Sequence, residues 1–267
     1  MKAVILAGGF GTRFLPLTKA MPKEMLPLGD MPILEHIVKE LSEAGIKDIM
    51  IVISKHKKMI KNYFTKNKRL EQFLIENGKQ NMLDKVTYQS QYGNICFAYQ
   101  KKMLGMQDAV MCAKKFIGDD DFILCTGDDV FVNEDGASCA KQMIDLYNKL
   151  GKAIIVTDIV PDDMVHLYGI VKHSSKVENK VEYMVEKPKS NAPSNEAILG
   201  RYLLPSKVLE YAKDNTSMIG NEFNFLECLN VLAKCDGLYT MKMQGKRFDT
   251  GNKKGYAEAF RYFADKD

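Results

Sequence analysis

Between Ala7 and Pro27 the chain reads AGGFGTRFLPLTKAMPKEMLP. Three glycines, Gly8, Gly9 and Gly11, follow a short apolar run and are followed by three cations, Arg13, Lys19 and Lys23. Small residues let a backbone approach a phosphate or a base closely, and their free N–H groups supply donors. The pattern suits an anionic, nucleotide-like ligand, but it is neither of two familiar loops. A dinucleotide fingerprint needs glycine three residues after Gly11, where Phe14 stands. A P-loop needs Gly-Lys followed by Ser or Thr, where Gly11 precedes Thr12 and Arg13. Pro16 and Pro22 prevent a helix from starting at once. The segment therefore reads as a long loop that wraps a ligand, with Phe14, Leu15, Met25 and Leu26 as apolar anchors. Its plain alternative is a surface loop with incidental basic residues.

Other residues with chemical capacity lie further on. DFILCTGDD, residues 121–129, reads as one buried strand ending in carboxylates, the usual place for active-site groups in an open parallel sheet. Asp128 and Asp129 compete there; successive side chains on a strand point to opposite faces, so one of them is expected to face the ligand. Asp249 sits in RFDTGN, and Glu186 with Lys187 precedes Pro188. The six cysteines form no Cys-x-x-Cys pair and the four histidines do not cluster near them, which argues against zinc. They read as reduced thiols of a cytoplasmic protein.

These residues need elements to position them. AVILA (3–7), DIMIVIS (48–54) and NICFAYQ (94–100) read as strands, separated by helical patterns at 33–44, 57–64, 70–76 and 107–115. Gly45 is placed to stop the first helix. Such alternation argues for an α/β fold with a mainly parallel sheet flanked by helices. The second half is richer in strands (152–160, 168–173, 180–188, 196–204), an antiparallel or mixed part beside the parallel core. Helices return at 206–213, 223–234 and 253–264.

The 267 residues are 46% hydrophobic and 27% charged with net charge +4, enough for a large core and too weakly basic to argue for nucleic acid. No repeat or linker interrupts the chain, so one domain over 1–267 is expected. The lysine-rich stretch 55–68 reads as a solvated helix face, with a polyanion site as the alternative. MKAVIL is too short for a signal peptide, and no apolar stretch approaches a membrane span.

The stretch GFGTRFLPLTKAMPKEMLP resembles the signature loop of the sugar-phosphate nucleotidyltransferases, and its TKA-PKEMLP portion resembles the bacterial branch that transfers uridylyl groups to glucose-1-phosphate. The resemblance recurs in order: LGMQDAV (104–110), GDD (127–129), YGIV (168–171), VEKP (185–188), APSNEAILGRY (192–202) and FDTGNKKGY (248–256). The longer motifs carry it; GDD or EKP alone would not.

The resemblance implies a Rossmann-like nucleotidyltransferase fold with a nucleotide-binding half at about 1–130 and a sugar-binding half, partly antiparallel, at about 131–267. It implies conversion of UTP and glucose-1-phosphate to UDP-glucose and pyrophosphate, with Mg2+ and a homodimeric or homotetrameric assembly. By resemblance, Arg13 faces the β- and γ-phosphates, Lys23 lies along the reacting phosphates, and Asp128 and Asp249 hold the metal. Ala7, Gly8, Gly9, Gly11, Thr12 and Glu24 belong to the nucleotide loop. Gln100 and Gly105 contact uracil; an amide that donates and accepts suits its O4 and N3–H edge. Gly169 and Glu186 serve the sugar, Lys187 its phosphate, and Asn195 and Arg201 buttress that pocket. No general base is implied, because the attacking sugar phosphate is already an anion.

The chain also departs from the branch. Gln107 replaces a glycine, which is expected to narrow the base pocket. LAGG at 6–9 is similar to relatives that use other nucleotides, NEFNFLE at 221–227 keeps only Glu222 of the usual pattern, and Met31 replaces a lysine. Two other readings stay open: the same chemistry with dTTP or another hexose-1-phosphate, and a non-catalytic regulator that binds sugar nucleotide. Retention of Arg13, Lys23, Asp128, Lys187 and Asp249 argues against the regulator.

Overall fold

The computed structural model describes residues 1–265. Its centre is a mixed nine-stranded sheet. Strands β1 (Lys2–Ala7), β2 (Asp48–Ile53), β3 (Asn94–Tyr99) and β4 (Phe122–Thr126) run parallel in the order β4–β1–β2–β3. Their sequences are nearly continuous apolar runs because helices cover both faces. The short strand β5 (Asp129–Val132) follows. Strands β6 (Ala153–Ile159), β7 (Gly169–His173), β8 (Val181–Glu186) and β9 (Glu196–Leu204) form the rest with β10 (Leu238–Lys242). β9 is the seam: it runs antiparallel to β4, β6 and β7, while β10 lies parallel to β6. The last strand, β11 (Lys246–Asp249), pairs with β5 in a separate antiparallel ribbon.

Among the described residues, eight helices of seven residues or more flank the sheet: α1 (Ile33–Glu43), α2 (Lys58–Phe64), α3 (Lys68–Glu76), α4 (Gly105–Cys112), α5 (Cys139–Leu150), α6 (Val208–Asp214), α7 (Phe225–Cys235) and α8 (Lys253–Ala264). In α1 the buried residues Ile33, Leu34, Ile37, Val38 and Leu41 form one stripe, and Gly45 at φ +90° ends it. One core lies under α4, α6 and α7; the other lies under α1 and α5 on the opposite side of the sheet. A third cluster joins Phe14 and Leu26 of the glycine loop to Val130, Phe248 and Ala259, so the loop is fastened at both ends to the ribbon and α8. Between its anchors it makes three single turns of 3-10 helix, at Thr12–Phe14, Leu17–Lys19 and Lys23–Met25.

Several expectations need correction. DFILCTGDD is two strands with a turn at Gly127 and Asp128 between them; the Gly127 N–H donates to the Leu6 carbonyl at 2.9 Å, the last bond of the ladder to β1 before the turn. The helix expected at 107–115 begins at Gly105 and stops at Cys112. The one expected from 223 begins at Phe225, because the Asn224 side chain caps it and Glu222–Phe223 pairs with Met218–Ile219 in a small hairpin. Within the lysine-rich stretch, Lys57 is buried rather than solvated. Among the described residues no helix is long and apolar enough to cross a membrane.

Candidate active site

The C-terminal end of β1 delivers the glycine loop beside the turn that follows β4. Lys23 reaches across to Asp128 and donates to its Oδ2. Burial disfavours the Lys23 ammonium, but Asp128 and Glu24 outweigh it and raise its pKa. Burial likewise works against the Asp128 carboxylate, yet Lys23, Arg247 and Arg13 outweigh it and hold its pKa below the usual value. Arg13 extends from the loop to the Gly251 carbonyl, 3.4 Å away.

The β5–β11 ribbon sets Asp249 opposite Asp129, and Thr250 bonds the Asp128 carbonyl through both its N–H (2.9 Å) and its hydroxyl (2.6 Å). Asp128 and Asp249 therefore converge. A side chain at Gly251 would put its Cβ 2.5 Å from Asp128 Oδ2 and 3.0 Å from Asp249 Oδ1, so the glycine leaves a gap flanked by two carboxylate oxygens. That donor set fits a hard divalent cation completed by phosphate and water oxygens. Among the described residues no cluster of three or more His, Cys, Asp or Glu side chains could hold a metal ion, so substrate oxygens would be needed here.

Asp129 is not turned away from the site, as strand alternation predicts, because the turn re-aims the chain between Thr126 and Asp129. Both carboxylates line one cavity of about 570 Å³ with Asp249, Gly169, Glu186, Lys187 and Arg247. Asp129 is instead occupied by Arg247, whose Nε and Nη2 lie 2.8 and 2.7 Å from Oδ1. Burial raises its pKa, and the neighbouring Asp128 and Asp249 add to the effect against Arg247. Arg247 was missed in the sequence; it stands two residues before Asp249 on β11, and period-two spacing puts the two on one face. Arg201, expected at the sugar pocket, is fully buried behind it, paired with Glu40 at 2.7 Å and donating to the Asp129 carbonyl at 3.0 Å. It supports the site from the core. Asn195 bonds Asp162 at 3.2 Å.

At the far wall, Gly169 and Glu186 are direct partners across β7 and β8. A Cβ on Gly169 would lie 3.2 Å from Glu186 Oε2, so the glycine keeps room beside the carboxylate. Lys187 follows with φ +46° and pairs with Glu186 at 2.8 Å. A non-glycine residue in this region is strained, a feature common at functional positions.

Glu24 is almost fully buried, and both of its oxygens accept from Lys57 at 2.7 Å. Desolvation dominates this pair, pushing Glu24 up and Lys57 down. The carboxylate thus ties the loop to the segment after β2, in place of the nucleotide contact expected of it.

Gln100 follows β3 and lies against Gly8, where a Cβ would sit 2.4 Å from its Oε1. Its Nε2 donates to the Gly105 carbonyl at 3.0 Å and to Asp108 Oδ2 at 2.9 Å. The amide expected to donate and accept therefore has its donors engaged. Gln107 is a further correction. Its side chain points away from Gly105 into the α4–α6–α7 junction, donating to the carbonyls of Ala212 (2.7 Å) and Asn215 (3.1 Å) and accepting from Asn215 Nδ2 (2.8 Å). It fills a core position and does not narrow the base pocket. Ala7 and Gly8 are buried at the loop's start, while Gly9 and Thr12 are exposed. Gly11 at φ +65° turns the loop so that Thr18 can donate to its carbonyl at 2.9 Å.

A sequence profile described as nucleotidyl transferase matches residues 2–266. The chain is 41% identical over 269 residues to UTP–glucose-1-phosphate uridylyltransferase 2 of Staphylococcus saprophyticus, covering all of this chain and 92% of that one. It superimposes on a UTP-bound UGPase from Acinetobacter baumannii with TM-score 0.91 and 34% identity, over 100% of this chain and 94% of that one. A UDP-glucose pyrophosphorylase solved with UDP-glucose gives TM-score 0.88 and 32% identity, over 100% and 99%. The match runs from the first strand through the last helix and takes in the glycine loop, the two converging aspartates and the Glu-Lys wall: the chain belongs to the nucleotidyl transferase family.

Proposed function

We propose that this protein transfers the uridylyl group of UTP to glucose-1-phosphate, releasing UDP-glucose and pyrophosphate. The observation that carries the reading is the meeting of a two-cation glycine loop with two carboxylates that flank one open gap, Asp128 and Asp249 beside Gly251. Full-length similarity to uridylyltransferases supports the choice of substrates.

In this reading the parallel half, about 1–130, holds the nucleotide and the remainder holds the sugar phosphate. Ala7, Gly8, Gly9, Gly11 and Thr12 bring backbone close to the nucleotide, and Gln100 and Gly105 read its base. Arg13 binds the β- and γ-phosphates. Lys23 stays beside the α-phosphate and stabilises the charge that builds there in the transition state. Glu186 accepts from sugar hydroxyls next to Gly169, and Lys187 orients the sugar phosphate. An oxygen of that phosphate forms the new bond to the α-phosphorus as the bond to the bridging β-oxygen breaks, and pyrophosphate leaves with the electron pair. Asp128 and Asp249 would hold Mg2+, which when bound neutralises phosphate charge. Arg247 keeps Asp129 engaged, so that the cation gap is lined by two carboxylates instead of three.

An amide oxygen that accepts from a pyrimidine N3–H serves thymine as well as uracil, so dTTP is the second reading. A cytoplasmic location is supported by six cysteines that form no disulfide, and a homodimer or homotetramer by the family resemblance. The test is pyrophosphate release with four nucleoside triphosphates against several sugar-1-phosphates. Fastest turnover is expected with UTP and glucose-1-phosphate in the presence of magnesium. No turnover with any pair in folded protein overturns the enzyme reading, and fastest turnover with dTTP overturns the uridylyl assignment.

A further inference from the structure

The orientation of the Gln100 amide is dictated by its surroundings. Two acceptors, the Gly105 carbonyl and Asp108 Oδ2, face the same end of the side chain at 3.0 and 2.9 Å. Only the NH2 end can satisfy both, because an amide oxygen there would confront two oxygens. The other end, Oε1, is therefore turned onto Gly8. Gln100 also lines a cavity of about 220 Å³ together with Phe10, Ser54, His56 and Met103. Gln100 is nearly fully buried, so an inverted amide could not be rescued by water. Asp108 is itself held at the start of α4, where the Leu104 N–H approaches the same oxygen at 3.5 Å.

We infer that Asp108 is a positioning residue for base selection: it locks Gln100 as an acceptor toward the nucleotide. The inference rests on the proposed role of Gln100 in reading the base. An acceptor set against N3 of a pyrimidine takes the N–H of uracil or thymine and repels the N3 lone pair of cytosine. Asp108 touches no substrate in this arrangement. It acts through Gln100, and its carboxylate has no donor hydrogen with which to stabilise the inverted amide.

The test is the ratio of kcat/KM for UTP to that for CTP in the full-length protein carrying Asp108→Asn, Asp108→Ala or Asp108→Lys. Asparagine keeps an acceptor oxygen, alanine removes it, and lysine presents donors only. The ratio is expected to stay within about three-fold of the parent in Asp108→Asn. It should fall by about ten-fold or more in Asp108→Lys, the scale of one hydrogen bond to a charged group, with Asp108→Ala between. Parallel loss for both triphosphates, with the ratio unchanged in all three, would mean a merely structural role and overturn the inference. Gln100→Ala separates the two levels. If it leaves the ratio unchanged, the base is read elsewhere and the base reading falls together with the inference. If it abolishes the preference while the Asp108 variants retain it, only the inference falls.

Discussion

Lys23 and Asp128 form an ion pair in the site, both partly exposed, with Asp128 lining the cavity. Each is therefore paired before any ligand arrives, and a bound polyphosphate offers Lys23 a richer anion. Lys23→Ala and Asp128→Ala should each lower kcat/KM by at least ~100-fold, the scale of a lost electrostatic contact to a transition state; near-parental rates would show the roles to be misassigned. The pair also sets an acid limit. Asp128 titrates below its ordinary value of 3.8 when folded, so the folded state binds fewer protons than the unfolded chain in that region. The stabilisation is complete above about pH 4 and is lost as pH falls through the depressed folded value. Thermal melts of the parent and Asp128→Asn should accordingly differ at pH 7, with the parent more stable, keep that difference down to about pH 4, and converge only as pH falls further, through the depressed folded value.

At the scale of elements, the first turn of α4 joins three tasks. Gly105 accepts from Gln100, Gln107 anchors the segment after α6, and Asp108 holds the Gln100 amide. Residues on a helix rotate by 100° each, so neighbours in sequence serve different walls. The hairpin Met218–Ile219/Glu222–Phe223 hangs from this turn: Asn215 is clamped by Gln107, and Phe223 donates to the Leu104 carbonyl at 3.0 Å. Gln107→Leu roughly keeps the volume but takes the Gln107 donor from the buried Ala212 carbonyl and the part-buried Asn215 carbonyl, and leaves Asn215 Nδ2 with the Asn224 carbonyl alone. It should cost roughly 2 kcal/mol in chemical denaturation and speed hydrogen exchange across 215–224. A changed KM for UTP with unaltered stability would mean that Gln107 lines the base pocket after all.

For the molecule as a whole, β9 binds the two parts of the sheet, and buried charge crosses between layers. Arg201 on β9 meets Glu40 on α1, and Glu24 in the loop meets Lys57 after β2. Breaking such a pair from one side leaves an uncompensated buried charge, so the loop is held to the sheet by more than its apolar anchors. Burial also protects the thiols, pushing Cys125 up to about 12 and Cys228 up to about 11. Cys235, exposed at the end of α7, should label with a thiol reagent ahead of the other five in the native protein. Raising the pH from 7 to 9 should leave Cys125 and Cys228 unmodified, as read by peptide mass mapping; their rapid native labelling would contradict the packing described.

The primary sequence by itself determined the alternation of apolar strands and amphipathic helices, the glycine loop with Arg13 and Lys23, and the candidate carboxylates. Those features are local: burial of a strand, the geometry of glycine and the position of proline are written in neighbouring residues. Contacts between distant segments were not legible in that way. That Asp128 and Asp129 line one cavity depends on the turn at Gly127, which depends on β1 lying alongside β4. That Glu24 belongs to Lys57 and Arg201 to Glu40 depends on which elements pack together after long separations in the chain. Gln107 looked like an obstruction in a base loop until the packing of α4 against α6 and α7 gave its amide three partners. The types of side chain were local information; which charge neutralises which, and which way an amide faces, was decided by the tertiary structure, because a buried polar group takes its role from the partners that surround it.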